Sequence, residues 1–176
     1  WTDTVILANG NFPSNPLALS ILNNCKYLVC CDGATNNLAN TSRLPDAIVG
    51  DCDSLSEENQ IRFADIIHRI PEQETNDLTK AVRFCLEQGR KELTILGATG
   101  KREDHTIANI SLLCEYMNDA HVEMITNYGV FVELAPGIGG MIHISDLSWL
   151  KRFNHPGEYT KVGQNIDVMI MGIDKE

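Results

Sequence analysis

Apolar and polar positions alternate along this chain with two periods, and the change between them divides it. "TVILANG" is a nearly continuous apolar run closed by a turn signal, which predicts a buried strand. "KYLVCCDG", "LPDAIVGDCDS", "IIHRI", "ELTILGATG" and "HVEMIT" read the same way. Between them lie helical patterns: "PLALSILNN", "SEENQIRFAD", "NDLTKAVRFCLEQG" and "DHTIANISLLCEYMN". Ser56 is an N-cap followed by acidic residues in the first turn, and Gly89 closes the third helix. Strands that alternate with helices predict an α/β fold with a mostly parallel sheet covered by helices on both faces.

After Thr126 the long helical patterns stop. "YGVFVEL", "GGMIHIS" and "QNIDVMIMGID" read as strands joined by Gly- and Pro-containing loops such as "APGIGG" and "NHPGEYTKVG". This predicts a small all-β partial barrel or sandwich. The boundary falls near residues 120 to 128, giving an α/β domain over 1–125 and a small β domain over 126–176.

A length of 176 residues with 43% hydrophobic content suffices for one ordinary domain or two small ones. The formal charge of -10 argues against bulk attraction to nucleic acid or anionic membrane, so a phosphate ligand is expected to arrive with its own cation. The six cysteines form no CxxC pair and several lie in apolar runs, which predicts reduced, buried packing. No apolar run is long enough to span a bilayer and no signal pattern opens the chain, so the cytoplasm is the expected compartment. Trp1 is not a natural start, and the numbering is expected to begin inside a longer chain.

In an open parallel sheet, ligands gather at the carboxyl ends of the strands. The unusual polar residues all fall there. Asp32 follows "YLVCC"; Asp51, Asp53 and Ser54 follow "AIVG"; Glu74 and Asp77 follow "IIHRI"; Lys101, Arg102, Asp104 and His105 follow "LTILGATG". Two carboxylates one residue apart on extended backbone point to one side and repel unless a cation sits between them. Hard oxygen ligands suit magnesium, which takes one or two carboxylates plus waters and phosphate oxygens. Lys80, Lys101 and Arg102 offer charge to phosphates, Gly97 and Gly100 let backbone approach a ligand, and a helix beginning near Asp104 offers its N-terminal amides. Taken singly, a D-x-D loop reads as a solvated turn, Asp104 as an N-cap, Lys80 as a solvated helix residue and His105 as a structural histidine. Four rim loops that each carry a carboxylate favour magnesium-assisted phosphoryl or pyrophosphoryl transfer instead.

With these residues in hand, about Thr4 to Phe131 resembles the thiamine pyrophosphokinase family. "ANGNFP" resembles its opening strand and turn, "CDGAT" its DGA motif, "PDAIVGDCDSL" its P-D-x-(I/V)-x-G-D-x-D-S, and "GATGKREDHTIANISLL" its G-x-x-G-x-R-x-D-H-x-x-x-N. The resemblance implies ATP-dependent transfer of pyrophosphate to thiamine, giving thiamine diphosphate and AMP, with Mg2+ as cofactor and a homodimer as the assembly. It carries Asp51, Asp53 and Asp77 over as catalytic and metal-site carboxylates. It likewise carries Asp32, Ser54, Lys80, Gly100, Arg102, Asp104 and His105 over to the ATP site. Two positions depart from the pattern: Glu74, Thr75, Asn76 and Asp77 stand where D-x-T-D is usual, and Lys101 replaces a common glycine.

The family's C-terminal thiamine-binding sandwich has no counterpart after Phe131. That part resembles the RNA-binding repeat of bacterial ribosomal protein S1, an oligonucleotide-binding barrel, through "YGVFVEL", "GGMIHISDLSW" and "HPGEYTKVGQNIDVMIMGID". By this resemblance Tyr128, Phe131 and His143 fall on a nucleic-acid face, and the repeat is expected to be incomplete. From spacing alone Tyr128 and Phe131 also read as packed strand residues. The alternatives to the transferase are therefore an RNA-binding module and a nucleotide-binding chain without turnover.

Overall fold

The computed structural model describes residues 3–14, 16–126, 129–135 and 138–143. Six strands, β1 (Thr4–Leu7), β2 (Tyr27–Cys31), β3 (Ala47–Gly50), β4 (Ile67–Arg69), β5 (Glu92–Leu96) and β6 (His121–Ile125), form the parallel part of one sheet. Four α-helices connect or flank them: α1 (Pro16–Asn24), α2 (Glu57–Arg62), α3 (Asp77–Glu87) and α4 (Glu103–Tyr116). Then β7 (Gly129–Ala135) and β8 (Ile138–His143) continue the sheet antiparallel, so the strand order is β4-β3-β2-β1-β5-β6-β7-β8. The change from parallel to antiparallel pairing falls where the sequence pattern changes, at Thr126.

Alternate residues of the strands feed two core layers, as the period of two requires. Val5 and Leu7 pack with Leu28, Cys30, Leu96 and the α1 residues Ala18, Ile21 and Leu22. Ile6 and Ala8 face the other way, with Val29, Val49, Leu93 and Ile95, onto α3 and α4. Helix α3 buries Leu78, Ala81, Val82 and Cys85, the i, i+3, i+4, i+7 stripe that makes a helix amphipathic. Burying each large aliphatic side chain contributes roughly 1.5–3 kcal/mol, so these layers hold the sheet between its helices.

Local signals set several boundaries. Ser56 Oγ accepts the Asn59 N–H as the N-cap of α2, and Gly89 takes φ +73 just past α3. Three features depart from the sequence reading. The "DGATNNLAN" segment, Asp32–Asn40, is a 3-10 helix without an apolar period; its Ala34 and Leu38 dock onto the α1 layer. Helix α2 stops at Arg62, and Ala64–Ile66 forms a separate 3-10 turn. The N-cap of α4 is Arg102 rather than Asp104, with no side-chain capping bond.

Among the described residues no helix is long and apolar enough to cross a membrane. The cysteines are free; Cys30, Cys31, Cys52 and Cys85 are buried, and burial raises their thiol pKa values above the ordinary range, to about 12 for Cys85. Tyr128 and the "QNIDVMIMGID" strand lie outside the described residues. Phe131 and His143 lie in β7 and β8, paired with Met141 and Gly129.

Candidate active site

The strand order creates one topological switch point. From β1 the chain steps outward through β2, β3 and β4, then returns to place β5 on the other side of β1. Loops at the carboxyl ends diverge there and leave the crevice in which open α/β sheets bind ligands. The loops after β1 and β5 are joined across it: Gly10 N–H donates to Gly97 O at 2.7 Å and Asn11 N–H to Thr99 O at 2.8 Å. This contact requires glycine, since a Cβ on Gly10 would lie 2.4 Å from Gly97 O.

Beside it, three carboxylates converge. Asp32 is the first residue beyond β2, Asp51 the first beyond β3, and Asp77 the first of α3. Each offers a carboxylate oxygen to a group whose members all lie within 4.8 Å of one another. Gly50 makes the approach possible, because a Cβ there would stand 2.9 Å from the Asp32 Cβ and 3.3 Å from Asp77 Oδ1. Asp32 is 1% exposed; its Oδ2 accepts the Ser54 N–H at 3.0 Å, while its Oδ1 is buried with no hydrogen-bond partner. A buried carboxylate oxygen without a donor is costly and invites a cation.

The electrostatics follow. Burial is the main force raising the Asp32 pKa to about 6; the Ser54 N–H opposes it, and the Asp77 charge, the proton that Asp32 can share with the Asp51 carboxylate and the Asp51 charge add to it. Burial also raises Asp77, opposed by Lys80, whose buried ammonium lies 3.4 Å from Asp77 Oδ1. Asp51 goes the other way: the Asp53 N–H, at 3.2 Å from its Oδ1, and Gln73 Nε2, at 3.2 Å from its Oδ2, hold it below the ordinary range. The site therefore concentrates negative charge, and the Lys80 ammonium is held beside Asp77. Hard oxygen donors in this density fit magnesium.

The Asp51–Asp53 loop does not place both acids on one side. Cys52, buried, takes φ +69, which breaks the extended backbone the sequence reading assumed. Asp51 joins the triangle, Asp53 is exposed outside it, and Asp53 contributes its backbone N–H to Asp51. Ser54 is exposed and its N–H orients Asp32. Lys80 is buried at the cluster rather than solvated. Arg102 and Asp104 are exposed on the far loop and bind each other through two bonds of 3.1 and 2.6 Å. His105 is exposed on α4, Gly100 has φ +101, and Lys101 Nζ reaches Asn9 Oδ1 at 3.2 Å. Glu74 is exposed and gives its backbone N–H to Glu72.

Side-chain amides outside the sequence-predicted set brace these loops. Asn36 Nδ2 donates to Ser54 O at 2.8 Å, and its Oδ1 accepts from Ser56 N–H and Asn59 Nδ2. Gln73 holds Asp51, and Asn76 accepts the Thr79 N–H as the N-cap of α3. Of these, only the Asn76 cap had a local signal, an asparagine before an amphipathic helix.

Residues 18–125 match the thiamin pyrophosphokinase catalytic domain. The chain belongs to the thiamin pyrophosphokinase family. The matched range holds the carboxylate triangle, Lys80 and the loop after β5, and begins beyond the loop after β1. A thiamin pyrophosphokinase of Geobacillus thermodenitrificans superposes with a TM-score of 0.59 at 27% identity, covering 73% of this chain and 61% of that one. Thiamin pyrophosphokinase 1 of Caenorhabditis elegans is 32% identical over 110 residues, which is 57% of this chain and 45% of that protein. Residues 118–176 match the S1 RNA binding domain. The small ribosomal subunit protein bS1 of Chlamydia trachomatis is 53% identical over 57 residues, 32% of this chain and 10% of that protein. This chain thus spans less than half of either curated relative. The two family matches overlap on β6, which pairs with β5 along its whole length and with β7 at Ile125.

Proposed function

We propose that this chain transfers pyrophosphate from ATP to thiamine, giving thiamine diphosphate and AMP. The support is the triangle of Asp32, Asp51 and Asp77, with its partnerless buried oxygen, at the strand ends of a thiamin pyrophosphokinase catalytic fold. Asp51 and Asp77, together with Asp32, would hold magnesium, and Asp53 would support them from the same loop through its backbone N–H to Asp51. An ion held by these residues would supply positive charge to neutralise the phosphates.

The chain's own residues supply the rest. Lys80 keeps Asp77 ionised and oriented. Gly97 and Gly100 bring backbone close to the phosphates, and Lys101 adds a cation over Asn9. The Arg102–Asp104 pair is exposed and readily screened, so Arg102 can exchange Asp104 for a phosphate at little loss; Ser54 and His105 border the same site. The thiamine hydroxyl attacks the β-phosphorus, the bond to the oxygen bridging the α-phosphate breaks, AMP leaves, and the hydroxyl proton is released. Alignment carries most of the rate. We place the catalytic domain at 1–125 and the small β domain at 126–176, in a cytoplasmic homodimer.

AMP formed from ATP and magnesium, with and without thiamine, tests the reading. Thiamine-dependent AMP is expected in the parent chain, and a loss of roughly 100-fold or more in Asp51→Asn, the scale of removing one preorganised electrostatic partner. AMP release that ignores thiamine, or survives the substitution, would count against it.

A second reading is favoured by the S1 match alone: the C-terminal part binds single-stranded RNA through Tyr128, Phe131 and His143. It predicts RNA affinity that falls in Phe131→Ala. A chain that binds magnesium ATP without turnover is the outcome if thiamine cannot be aligned.

A further inference from the structure

Two asparagines form a bridge across the rim of the crevice. Asn76 Nδ2 donates to Asn109 Oδ1 at 3.0 Å, and Asn109 Nδ2 donates to the carbonyl of Ala98 at 2.8 Å. Asn109 is 8% exposed, and it lies on the α4 face that also buries Leu113 and Tyr116. Both amides have their orientation dictated. Asn76 must turn its oxygen to the Thr79 N–H at 2.8 Å, which leaves its NH2 for Asn109. Asn109 must turn its NH2 to a carbonyl, which leaves its oxygen for Asn76. Reversing either one would set like dipoles against each other in a buried place.

The ends of this bridge matter. Asn76 is the residue before Asp77, a corner of the carboxylate triangle. Ala98 follows Gly97, at φ +66, and precedes the turn through Gly100. The bonds from Gly10 and Asn11 tie that loop to the one after β1, not to the carboxylates. We propose that Asn109 is a positioning residue that sets the separation between the carboxylate triangle and the Gly97–Lys101 loop, acting through Asn76 and Ala98. The inference rests on the reading of the site as one for magnesium ATP, in which a ligand must touch both ends at once.

This gives the bridge a consequence that packing alone does not have. A metal ion by itself needs only the carboxylates, whereas a metal nucleotide must span the gap. The test is binding of Mn2+ alone, followed by the electron paramagnetic resonance of free Mn2+, and binding of Mn2+ with ATP, followed by equilibrium dialysis of the nucleotide at saturating Mn2+. Parent chain, Asn76→Ser, Asn109→Leu and the double variant are compared. Serine still caps α3, so Asn76→Ser removes the bridge while the helix start is kept. In Asn76→Ser, Mn2+ alone is expected to bind as in the parent while Mn2+ with ATP weakens by about 10-fold, the scale of losing one hydrogen bond. The double variant should bind the metal nucleotide no more weakly than Asn109→Leu. Equal losses for both ligands, or no loss, in a folded Asn76→Ser would overturn the positioning role and leave the nucleotide reading standing. A parent chain that binds neither Mn2+ nor Mn2+ with ATP would overturn the nucleotide reading and this inference with it.

Discussion

Asp32 shows how much one residue's surroundings decide. In the sequence it is an acid in a turn-rich "CDGAT"; in the fold it is a buried carboxyl with one oxygen lacking a donor and a pKa near 6. Between the ordinary carboxylate range and about pH 6 the folded chain holds a proton that the unfolded chain has released. Stability therefore falls as pH rises through that interval, and the penalty is complete above it. Asp32→Asn retains an oxygen for the Ser54 N–H and gives the buried position an NH2 that faces Asp51 and Asp77. Without divalent cations, this variant is expected to exceed the parent in stability at pH 7.5 by on the order of 1 kcal/mol, with the gain vanishing below about pH 4. Urea midpoints across pH check it; a variant less stable than the parent at pH 7.5 would refute this account of the charge. The acids at strand ends were legible from spacing, but the selection among them was not. Cys52 at φ +69 turns Asp51 and Asp53 apart, and no local signal announces a positive φ at a cysteine.

At the scale of elements, the strands and helices follow from hydrophobic period and capping, because those signals act over a few residues. The 3-10 helix at Asp32–Asn40 escaped because tertiary docking of Ala34 and Leu38 holds it rather than any period of its own. The pairing of α3 with α4 is likewise a tertiary matter. Tyr116, at the end of α4, is 5% exposed and shares a short hydrogen bond with the buried Thr79 hydroxyl of α3. Burial raises the Tyr116 pKa to about 12, so the phenol stays protonated and can donate. Tyr116→Phe keeps the ring and leaves the Thr79 hydroxyl without this partner, a change of about 1–2 kcal/mol. The expected result is a lower urea midpoint at unchanged slope; an unaltered midpoint would mean that this bond adds nothing to the pairing of the two helices.

Over the whole molecule, a formal charge of -10 distinguishes the two readings of function. An acidic protein repels the nucleotide's phosphates, so salt that screens this repulsion should leave the Michaelis constant for magnesium ATP unchanged or lower it. Binding of single-stranded RNA would weaken steeply over the same range, since each phosphate contact releases counterions. Titrating both ligands from low to physiological salt at fixed free magnesium separates them. The order of strands and helices, the change of pattern at Thr126, and the set of acids lying at strand ends were determined by the sequence by itself. Propensity, period and turn chemistry are local properties, and motif spacing is written along the chain. The tertiary structure alone decided which acids meet. The order β4-β3-β2-β1-β5 brings the ends of β2, β3 and the start of α3 together and opens the crevice beside β1. Burial, which raises the pKa of Asp32 and leaves its oxygen without a donor, belongs to no residue until the sheet has assembled around it.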